Sequence, residues 1–351
     1  MKLRLLILAA SLAGCSHPFP YFDPAIPHRA SQDGFRNNYP HPPRGVGFWS
    51  WKWHQFVSGL PEAPEGGYRF QVAQADPASG NPSVTWVGHA TLLLHVGGRY
   101  VLTDPQFSER ASPVTFIGPK RVVPAAPAID KLPHIDAVLI SHNHYDHLDL
   151  DSVAKLAAQA GGPPRFFVPL GLKDWFARRG IDSVVELDWW QKADYAGLEL
   201  TFVPVQHWSK RTLLDENLSL WGGWALRHPE LSFFFAGDAG YSMDFSDIGK
   251  HFGGFDLAAI PIGAYAPRWF MQVQHLDPAE ALRVHRDVRA RQSVGIHWGT
   301  FTGLTDESLY EPPQVLAAER RKAGLAEDDF FVMKHGETRV LRSRARSSSG
   351  G

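Results

Sequence analysis

Short apolar segments recur along the chain from residue 83 onward and are separated by polar loops. They predict β-strands at 83–87, 91–96, 100–102, 137–140, 166–168, 198–205, 231–235, 257–262 and 293–296. Other segments predict helices at 152–160, 171–179 and 278–291. The last begins with Asp277 as N-cap, Pro278 at the first helical position and Glu280 at the third, a capping-box arrangement. This order of elements predicts a mixed α/β sandwich rather than a closed barrel.

The first residues have the pattern of a targeting segment. A positively charged start, a short apolar run and small residues precede Cys15, the single cysteine of the chain. The pattern is typical of a bacterial lipoprotein signal peptide, so we expect residues 1–14 to be removed and Cys15 to be lipidated. Ser16 resembles the residue that directs lipoproteins to the outer membrane, which predicts a cell-envelope protein facing the periplasm. A secretory signal cleaved near Ala13 is the alternative.

The two ends of the chain differ in composition from its middle. Residues 15–47 are rich in Pro, His and Asn and are predicted to form an extended arm, while residues 342–351 are predicted to be a disordered tail. Just after the arm, tryptophans occupy the alternate positions Trp49, Trp51 and Trp53. This alternation fits a strand or a rigid wall of the core. It also fits an interfacial surface, because Trp favours the headgroup layer of a membrane.

The composition is that of a globular protein. Of 351 residues, 44% are hydrophobic and 20% are charged, so a sizeable core is available. The formal net charge of −1 argues against a nucleic-acid partner, because a nucleic-acid groove normally carries a basic surplus.

The segment 141–147 (SHNHYDH) places three histidines and an aspartate directly after a predicted strand. Imidazole and carboxylate groups at this density are typical of a metal site, and a solvated histidine-rich loop rarely follows a buried strand so abruptly. His142 and His144, two positions apart, are expected on one side of a turn. Asp146 and His147 are adjacent and would face a second position. Two divalent cations that share one pocket explain all four residues.

Three later predicted strands also lead to potential ligands, which are His207, Asp238 and His297. Strand ends at one edge of a sheet are a suitable place for a site, because strands fix position and loops supply chemistry. With the first motif they give five histidines and two aspartates, enough for two metal positions. Asp238 is the natural bridge, since a carboxylate has two oxygens. The imidazole and carboxylate set suits two zinc ions, with iron and manganese as alternatives.

The pattern His142-x-His144-x-Asp146-His147, followed by His207, Asp238 and His297, resembles the metallo-β-lactamase superfamily. The resemblance implies an αββα sandwich that forms one catalytic domain over residues 48–341, with a two-metal site at its edge. It places His142, His144 and His207 on one metal and Asp146, His147 and His297 on the other, with Asp238 bridging them.

Longer motifs resemble one subfamily, the N-acylphosphatidylethanolamine-hydrolysing phospholipase D group. They are 86–91 (WVGHAT), 102–105 (LTDP), 118–121 (GPKR) and 263–271 (GAYAPRWFM). The resemblance implies hydrolysis of such a membrane phospholipid to an N-acylethanolamine and phosphatidic acid. Two metals would acidify a shared, bridging water to hydroxide and polarise the phosphoryl oxygen. The lipoprotein-like start departs from the subfamily pattern.

Further residues receive roles around this centre. Asp238, and secondarily Asp146, would orient the water. Gln274 and His275 match subfamily positions near the metals, and His275 is expected to stabilise the phosphoryl group or the leaving alkoxide. A packed histidine before a helix is the alternative for His275. Asp104 and His89 are expected behind the ligands, with Asp104 accepting a hydrogen bond from a ligand imidazole.

The expected partner is a membrane phospholipid, with the lipidated N-terminus as anchor. Tyr145 is expected at the pocket mouth, and the residues expected to guide acyl chains are Trp49, Trp51, Trp53, Trp269 and Phe270. A metal-dependent lactonase or esterase and a non-catalytic metal-binding envelope protein remain alternatives. The sequence leaves open whether the chain forms a homodimer.

Overall fold

The computed structural model describes residues 19–41, 47–59 and 61–341 of the protein. The predicted signal peptide, the lipidation of Cys15 and the predicted tail 342–351 lie outside these residues, as does the side chain of Trp49. Among the residues described, no helix combines the length and the apolar composition needed to cross a bilayer.

The strands are β1 (Ser83–Gly88), β2 (Thr91–Val96), β3 (Arg99–Thr103), β4 (Lys120–Arg121), β5 (Ala137–Leu139), β6 (Arg165–Pro169), β7 (Val184–Leu187), β8 (Lys192–Tyr195), β9 (Leu198–Val203), β10 (Gly223–His228), β11 (Leu231–Phe235), β12 (Phe255–Pro261), β13 (Ala290–Ile296), β14 (Phe301–Thr302), β15 (Phe330–Phe331) and β16 (Thr338–Val340). The α-helices are α1 (Phe48–Ser58), α2 (Leu150–Ala157), α3 (Lys173–Ala177), α4 (Asp244–Phe252), α5 (Arg268–Met271), α6 (Pro278–Asp287) and α7 (Glu311–Lys322). Single 3-10 turns lie at Pro27–Arg29 and Ile129–Lys131.

Two seven-stranded sheets carry the fold. The first has the order β16-β1-β2-β3-β5-β6-β7 and the second has the order β15-β13-β12-β11-β10-β9-β8. Strands β3, β5, β6 and β7 run parallel to one another, as do β11, β12, β13 and β15. The carboxyl ends of parallel strands lie at one edge of a sheet, where the following loops can build a site.

The sheets face each other across the main hydrophobic core. Fully buried side chains from both sheets meet in it, among them Trp86 and Phe167 of the first sheet and Phe233 of the second. A second core lies between the first sheet and the helices α2 and α3, which contribute Val153 and Phe176. Helix α6 packs on β12 and β13, with α4 and α7 against it. The αββα sandwich that the resemblance implies is confirmed.

All nine predicted strands are present, and so are the three predicted helices. The capping box is confirmed, because Asp277 Oδ1 accepts from Glu280 N at 2.8 Å and Glu280 Oε2 accepts from Asp277 N at 3.1 Å. The predicted helix 278–291 is too long at its end. The chain leaves α6 after Asp287, and Ala290 already begins β13.

The strand interpretation of the tryptophan run is wrong, because Trp49, Trp51 and Trp53 lie in α1. The helix is held by its Trp51 side. The indole N–H of Trp51 and the amide of Gln55, one helical turn later, both point to Asp306, which accepts from Gln55 Nε2 at 2.7 Å. Residues four apart share a face of a helix, so this pair docks one face of α1.

Residues 19–41 of the predicted arm lie against the domain. Phe19 and Phe35 are buried in the main core. The backbone N–H of Phe35 donates to Asn217 O at 2.9 Å, and His28 Nε2 donates to Asp188 Oδ1 at 2.7 Å. This part of the arm is therefore packed into the fold.

Candidate metal centre

Loops that follow strands of both sheets bring the predicted ligands together. The run 142–147 follows β5 of the first sheet, and His207, Asp238 and His297 follow β9, β11 and β13 of the second. Their imidazole nitrogens and carboxylate oxygens fall into neighbouring groups whose atoms lie within 4.8 Å of one another. All seven predicted ligands therefore meet at one place.

The backbone is unusual at this edge. His89, Asp104 and His297 have φ values of 54°, 33° and 61°, in the left-handed region that side chains rarely adopt. Each such residue costs about 1–3 kcal/mol and persists only where its surroundings hold it. Gly237 has a φ of 62°, and a Cβ there would lie 2.7 Å from Ser141 Cβ. A glycine at 237 thus allows the loops of the two sheets to approach closely.

The first group consists of His142, His144 and His207. His144 Nδ1 lies 2.8 Å from His142 Nε2 and 3.4 Å from His207 Nε2. All three rings are buried or nearly so. Three imidazole nitrogens therefore point at one small volume.

The hydrogen bonds behind these rings fix their protonation. Ser141 Oγ donates to Asp104 Oδ2 at 2.6 Å, so it accepts from His142 Nδ1 at 2.8 Å. The carbonyl of Gln274 can only accept, so His207 Nδ1 donates to it at 2.9 Å. The Nε2 atoms of His142 and His207 are therefore left with lone pairs that point towards His144 Nδ1. A cation between these nitrogens satisfies all three.

The second group consists of Asp146, His147, His297 and Asp238. His147 Nε2 lies 3.1 Å from Asp238 Oδ2, and His297 Nε2 lies 3.1 Å from Asp238 Oδ1. Asp146 Oδ2 lies 3.5 Å from His147 Nε2 and 3.4 Å from His297 Nε2. Nevertheless, among the described residues His147 Nε2, His297 Nε2 and Asp238 Oδ1 have no hydrogen-bond partner. Ligands that share one metal at bonds of about 2.0–2.2 Å have this spacing.

Burial and charge shift the histidine pKa values of the two groups in opposite directions. In the first group, burial lowers the pKa of His142 and His207 well below the usual value and that of His144 to about 4. These imidazoles are neutral, as metal ligands must be. In the second group, burial opposes charge on His147 and His297, but nearby carboxylates, Asp238 first, outweigh it. They raise the pKa of His297 to about 9 and that of His147 well above the usual value. The carboxylates of this group thus favour positive charge.

Asp104 and His89 lie behind the second group, as predicted. Asp104 Oδ2 accepts from His147 Nδ1 at 2.7 Å, which leaves His147 Nε2 to face the carboxylates. Burial raises the pKa of Asp104, while the hydrogen bonds from His147 and Ser141 act in the opposite direction. His89 Nε2 donates to Asp146 Oδ2 at 3.0 Å. Both residues therefore orient side chains of the ligand set.

Gln274 and His275 lie beside both groups. Gln274 contributes its backbone carbonyl to His207, and its side-chain Oε1 is buried without a hydrogen-bond partner among the described residues. His275 Nδ1 is also buried and unpaired there, and it lies 3.9 Å from Asp238 Oδ2. Its ring centre is 5.5 Å from that of His207 and 5.6 Å from that of His297. His275 therefore lies next to the metal groups, and its role there stays a prediction.

The aromatic residues named from the sequence have different surroundings. Tyr145 OH donates to Arg211 O at 2.8 Å, and the Arg211 guanidinium stacks on its ring at 4.0 Å. Trp51 is buried and stacked on Phe270 at 5.0 Å. Trp53 is 65% exposed, and Trp269 is partly exposed. Only the exposed members of this set can face a lipid surface directly.

Two residues that hold the ligand loops, Arg211 and Asn37, were not predicted from the sequence. Arg211 Nη1 donates to Asn143 O at 2.7 Å and to Leu148 O at 2.6 Å, which joins the loop after His207 to the run 142–147. Asn37 contacts the backbone of His207 on its other side. The position of Arg211, four residues after a predicted ligand, was a usable signal for it. Asn37 gave none, because it lies in an arm without periodicity.

Comparison with known proteins agrees with this geometry. Residues 99–298 match the family model described as the β-lactamase superfamily domain. The chain belongs to the metallo-β-lactamase superfamily. It is 45% identical over 264 residues to an N-acyl-phosphatidylethanolamine-hydrolyzing phospholipase D of Caenorhabditis elegans, covering 72% of this chain and 74% of that protein. It is a metal-dependent hydrolase of this superfamily, in the phospholipase D-like group.

A second curated relative and a solved structure are also similar to this chain, at lower sequence identity. A mitochondrial protein of the same description from Saccharomyces cerevisiae is 39% identical over 239 residues, covering 66% of this chain and half (50%) of the yeast protein. A metallo hydrolase structure from Ignicoccus hospitalis superposes with a TM-score of 0.55 at 22% identity, covering 73% of this chain and 97% of that one. The structural likeness supports the fold alone.

Proposed function

We propose that this protein hydrolyses N-acylphosphatidylethanolamine-like phospholipids as a phospholipase D, releasing an N-acylethanolamine and phosphatidic acid. The observation that carries the proposal is the 45% identity, over 72% of this chain, to a protein described by that activity. The wider family supports only a metal-dependent hydrolase.

The side chains fit two divalent cations. In the second group, buried nitrogens and a carboxylate oxygen lie at ligand spacing without hydrogen-bond partners among the described residues. In the first group, three imidazole nitrogens face one another at similar spacing. His142, His144 and His207 would hold one metal and Asp146, His147 and His297 the other, and Asp238 would contribute a carboxylate to both. Zinc suits this imidazole and carboxylate set. Bound divalent metals would supply acidified water and polarisation of the phosphoryl oxygen.

The surrounding residues account for orientation and proton handling. The carboxylates of Asp238 and Asp146 accept hydrogen bonds and would orient the attacking water towards phosphorus. The water oxygen forms a bond to phosphorus, the bond from phosphorus to the head-group oxygen breaks, and a proton passes to the leaving alkoxide. Burial lowers the pKa of His275 to about 4, so its ring is neutral at pH 7. In the tautomer that carries the proton on Nδ1, this unpaired nitrogen can donate a hydrogen bond to the phosphoryl or leaving oxygen.

Exposed apolar side chains support a membrane-bound substrate. Leu213 and Leu214, each 89% exposed, follow Arg211, which contacts the run 142–147. Trp53 and Phe56 project from α1, whose Trp51 stacks on Phe270 next to the His275 segment. We propose that these side chains contact the lipid interface. A lipidated Cys15 in the bacterial envelope would hold the enzyme there, because the several acyl chains of a mature lipoprotein anchor firmly.

A product assay tests the proposal. Purified protein with bound metal is incubated with vesicles containing an N-acylphosphatidylethanolamine and, separately, with acyl lactones, and products are identified by mass spectrometry. We expect N-acylethanolamine and phosphatidic acid in equal amounts, and neither product with Asp238→Asn. Lactone opening without phospholipid cleavage would overturn the proposal in favour of the lactonase or esterase alternative. Turnover of neither substrate, with metal bound, would overturn the phospholipid proposal and leave the assignment at a metal-dependent hydrolase with a different substrate.

A further inference from the structure

The side-chain amide of Asn37 forms two hydrogen bonds with the backbone of His207, one of the predicted metal ligands. Asn37 Nδ2 donates to His207 O at 3.0 Å, and Asn37 Oδ1 accepts from His207 N at 3.0 Å. The same oxygen accepts from the indole Nε1 of Trp221 at 3.0 Å. One amide therefore holds both main-chain polar groups of His207, much as a neighbouring strand would.

His207 is the ligand for which such hydrogen bonds matter most. Its strand, β9, ends at Val203, so the sheet does not hold residue 207 itself. The imidazole is oriented from behind by the bond from His207 Nδ1 to the carbonyl of Gln274. The position of His207 Nε2 then depends on where the backbone lies. The preceding residue, Gln206, pairs with Gly240, and Asn37 holds the polar groups of residue 207 itself. A shift of the backbone would move this nitrogen away from His142 and His144.

The arm holds Asn37 firmly in place. On one side, Phe35 is 1% exposed and its N–H donates to Asn217 O at 2.9 Å. On the other side, Asn38 Nδ2 donates to Asp244 Oδ1 at 2.9 Å, and Tyr39 OH donates to Asp247 Oδ2. Bonds on both flanks therefore tie residue 37 to the domain. This segment lies outside residues 99–298, which match the family model.

We propose that Asn37 is a positioning residue of the metal centre, and that the N-terminal arm thereby sets the geometry of His207. The inference rests on the metal centre of the proposed function and not on the choice of lipid. Partners that orient a metal ligand typically contribute about 10–100-fold to metal affinity or activity. Asn37 acts on the backbone of a ligand rather than on its ring, so it reaches the centre through His207.

The test compares Asn37→Ala and Asn37→Ser with Asn38→Ala. Asn38 is the adjacent arm residue, and its side chain donates to α4 and not to the ligand loop. Asn38→Ala therefore weakens the packing of the arm without removing a contact to His207. Metal affinity is measured by competition with a chromophoric chelator, using zinc. The visible spectrum of the cobalt-substituted protein, the thermal midpoint of the metal-free protein, and kcat and KM on the vesicle substrate are recorded for each variant.

We expect Asn37→Ala to lower zinc affinity or kcat by roughly 10-fold or more, with KM unchanged. The cobalt spectrum should change, and Asn37→Ser, which keeps one hydrogen-bonding group, should lie between Asn37→Ala and the wild type. Asn38→Ala should match the wild type in affinity, spectrum and kcat.

Wild-type affinity, spectrum and kcat in Asn37→Ala, or equal losses in Asn38→Ala, would overturn the proposal. If Asn37→Ala does not fold, Asn37→Ser decides by the same criteria. The affinity measurement needs no substrate, so it stands even if the phospholipid is not cleaved.

Discussion

At the scale of single residues, the metal centre depends on side chains whose hydrogen bonds determine which nitrogen of each ligand histidine carries the proton. Asp104 shows this most clearly, because its carboxylate accepts from Ser141 N at 2.7 Å, from Ser141 Oγ at 2.6 Å and from His147 Nδ1 at 2.7 Å. Through Ser141 it also fixes the proton of His142. One carboxylate therefore sets the ligand nitrogens of residues assigned to both metals.

Replacing Asp104 by asparagine should disturb both halves of the centre. The amide has one accepting oxygen, so its NH2 group would face either the backbone N–H of Ser141 or both the hydroxyl of Ser141 and the N–H of His147. We expect zinc affinity or kcat to fall by about 10–100-fold while the fold persists. Chelator competition and circular dichroism measure the two quantities. Asp136→Asn, at the opposite end of β5 from the ligand run and bonded to Tyr100 N and Arg99, is the matched control. Unchanged affinity and kcat in Asp104→Asn would contradict the role of Asp104.

Residues that lie next to one another in sequence, or directly after a strand, could be predicted from the sequence. The run 142–147 is contiguous, and His207, Asp238 and His297 each follow an apolar segment, so the topology that unites them could be expected. The contact of Asn37 with His207 spans 170 positions and joins an irregular arm to a loop. No periodicity encodes such a pair, because it depends on the tertiary path of the arm.

At the scale of elements, α1 shows why a local pattern misled. Tryptophans at alternate positions fit the two-residue period of a strand. The contact that favours a helix is distant in sequence, because Trp51 Nε1 and Gln55 Nε2 both donate to Asp306. Tertiary contacts thus stabilise a helix, and the face of that helix that carries Trp51 packs against the domain. The remaining surface carries Trp53, Phe56 and Val57, which are 65%, 79% and 64% exposed.

The exposed surface of α1 should matter for vesicles and not for the chemistry. We expect Trp53→Ala combined with Phe56→Ala to weaken binding to lipid vesicles roughly tenfold, a loss of about 1.4 kcal/mol in partition free energy. Vesicle sedimentation measures binding, and activity on a short-chain phospholipid below its micellar concentration should be unchanged. Val340→Ala, at another exposed position, serves as the control. Equal vesicle binding by the double variant and the wild type would rule out a lipid contact for α1.

At the scale of the whole molecule, the centre joins the two sheets. The run 142–147 belongs to the loop after β5 in the first sheet, whereas His207, Asp238 and His297 follow strands of the second. The main core already packs these sheets face to face. Metals held by ligands from both sheets would therefore close the open edge of the sandwich and link the folding of its halves.

Removing the metals should lower the stability of the whole protein in one step. A ligand that binds only the native state stabilises it by about 4 kcal/mol at a free concentration near a thousand times its Kd. For a chain of this size we expect chelation to lower Tm by roughly 5 °C, without loss of secondary structure at 25 °C, and added zinc to restore it. The double variant His144→Ala and His207→Ala lacks two ligands of one group, so its Tm should respond less to chelator. A Tm that stays constant while elemental analysis shows metal loss would mean that the centre does not couple the sheets, and the stability of the sandwich would then come from the core alone.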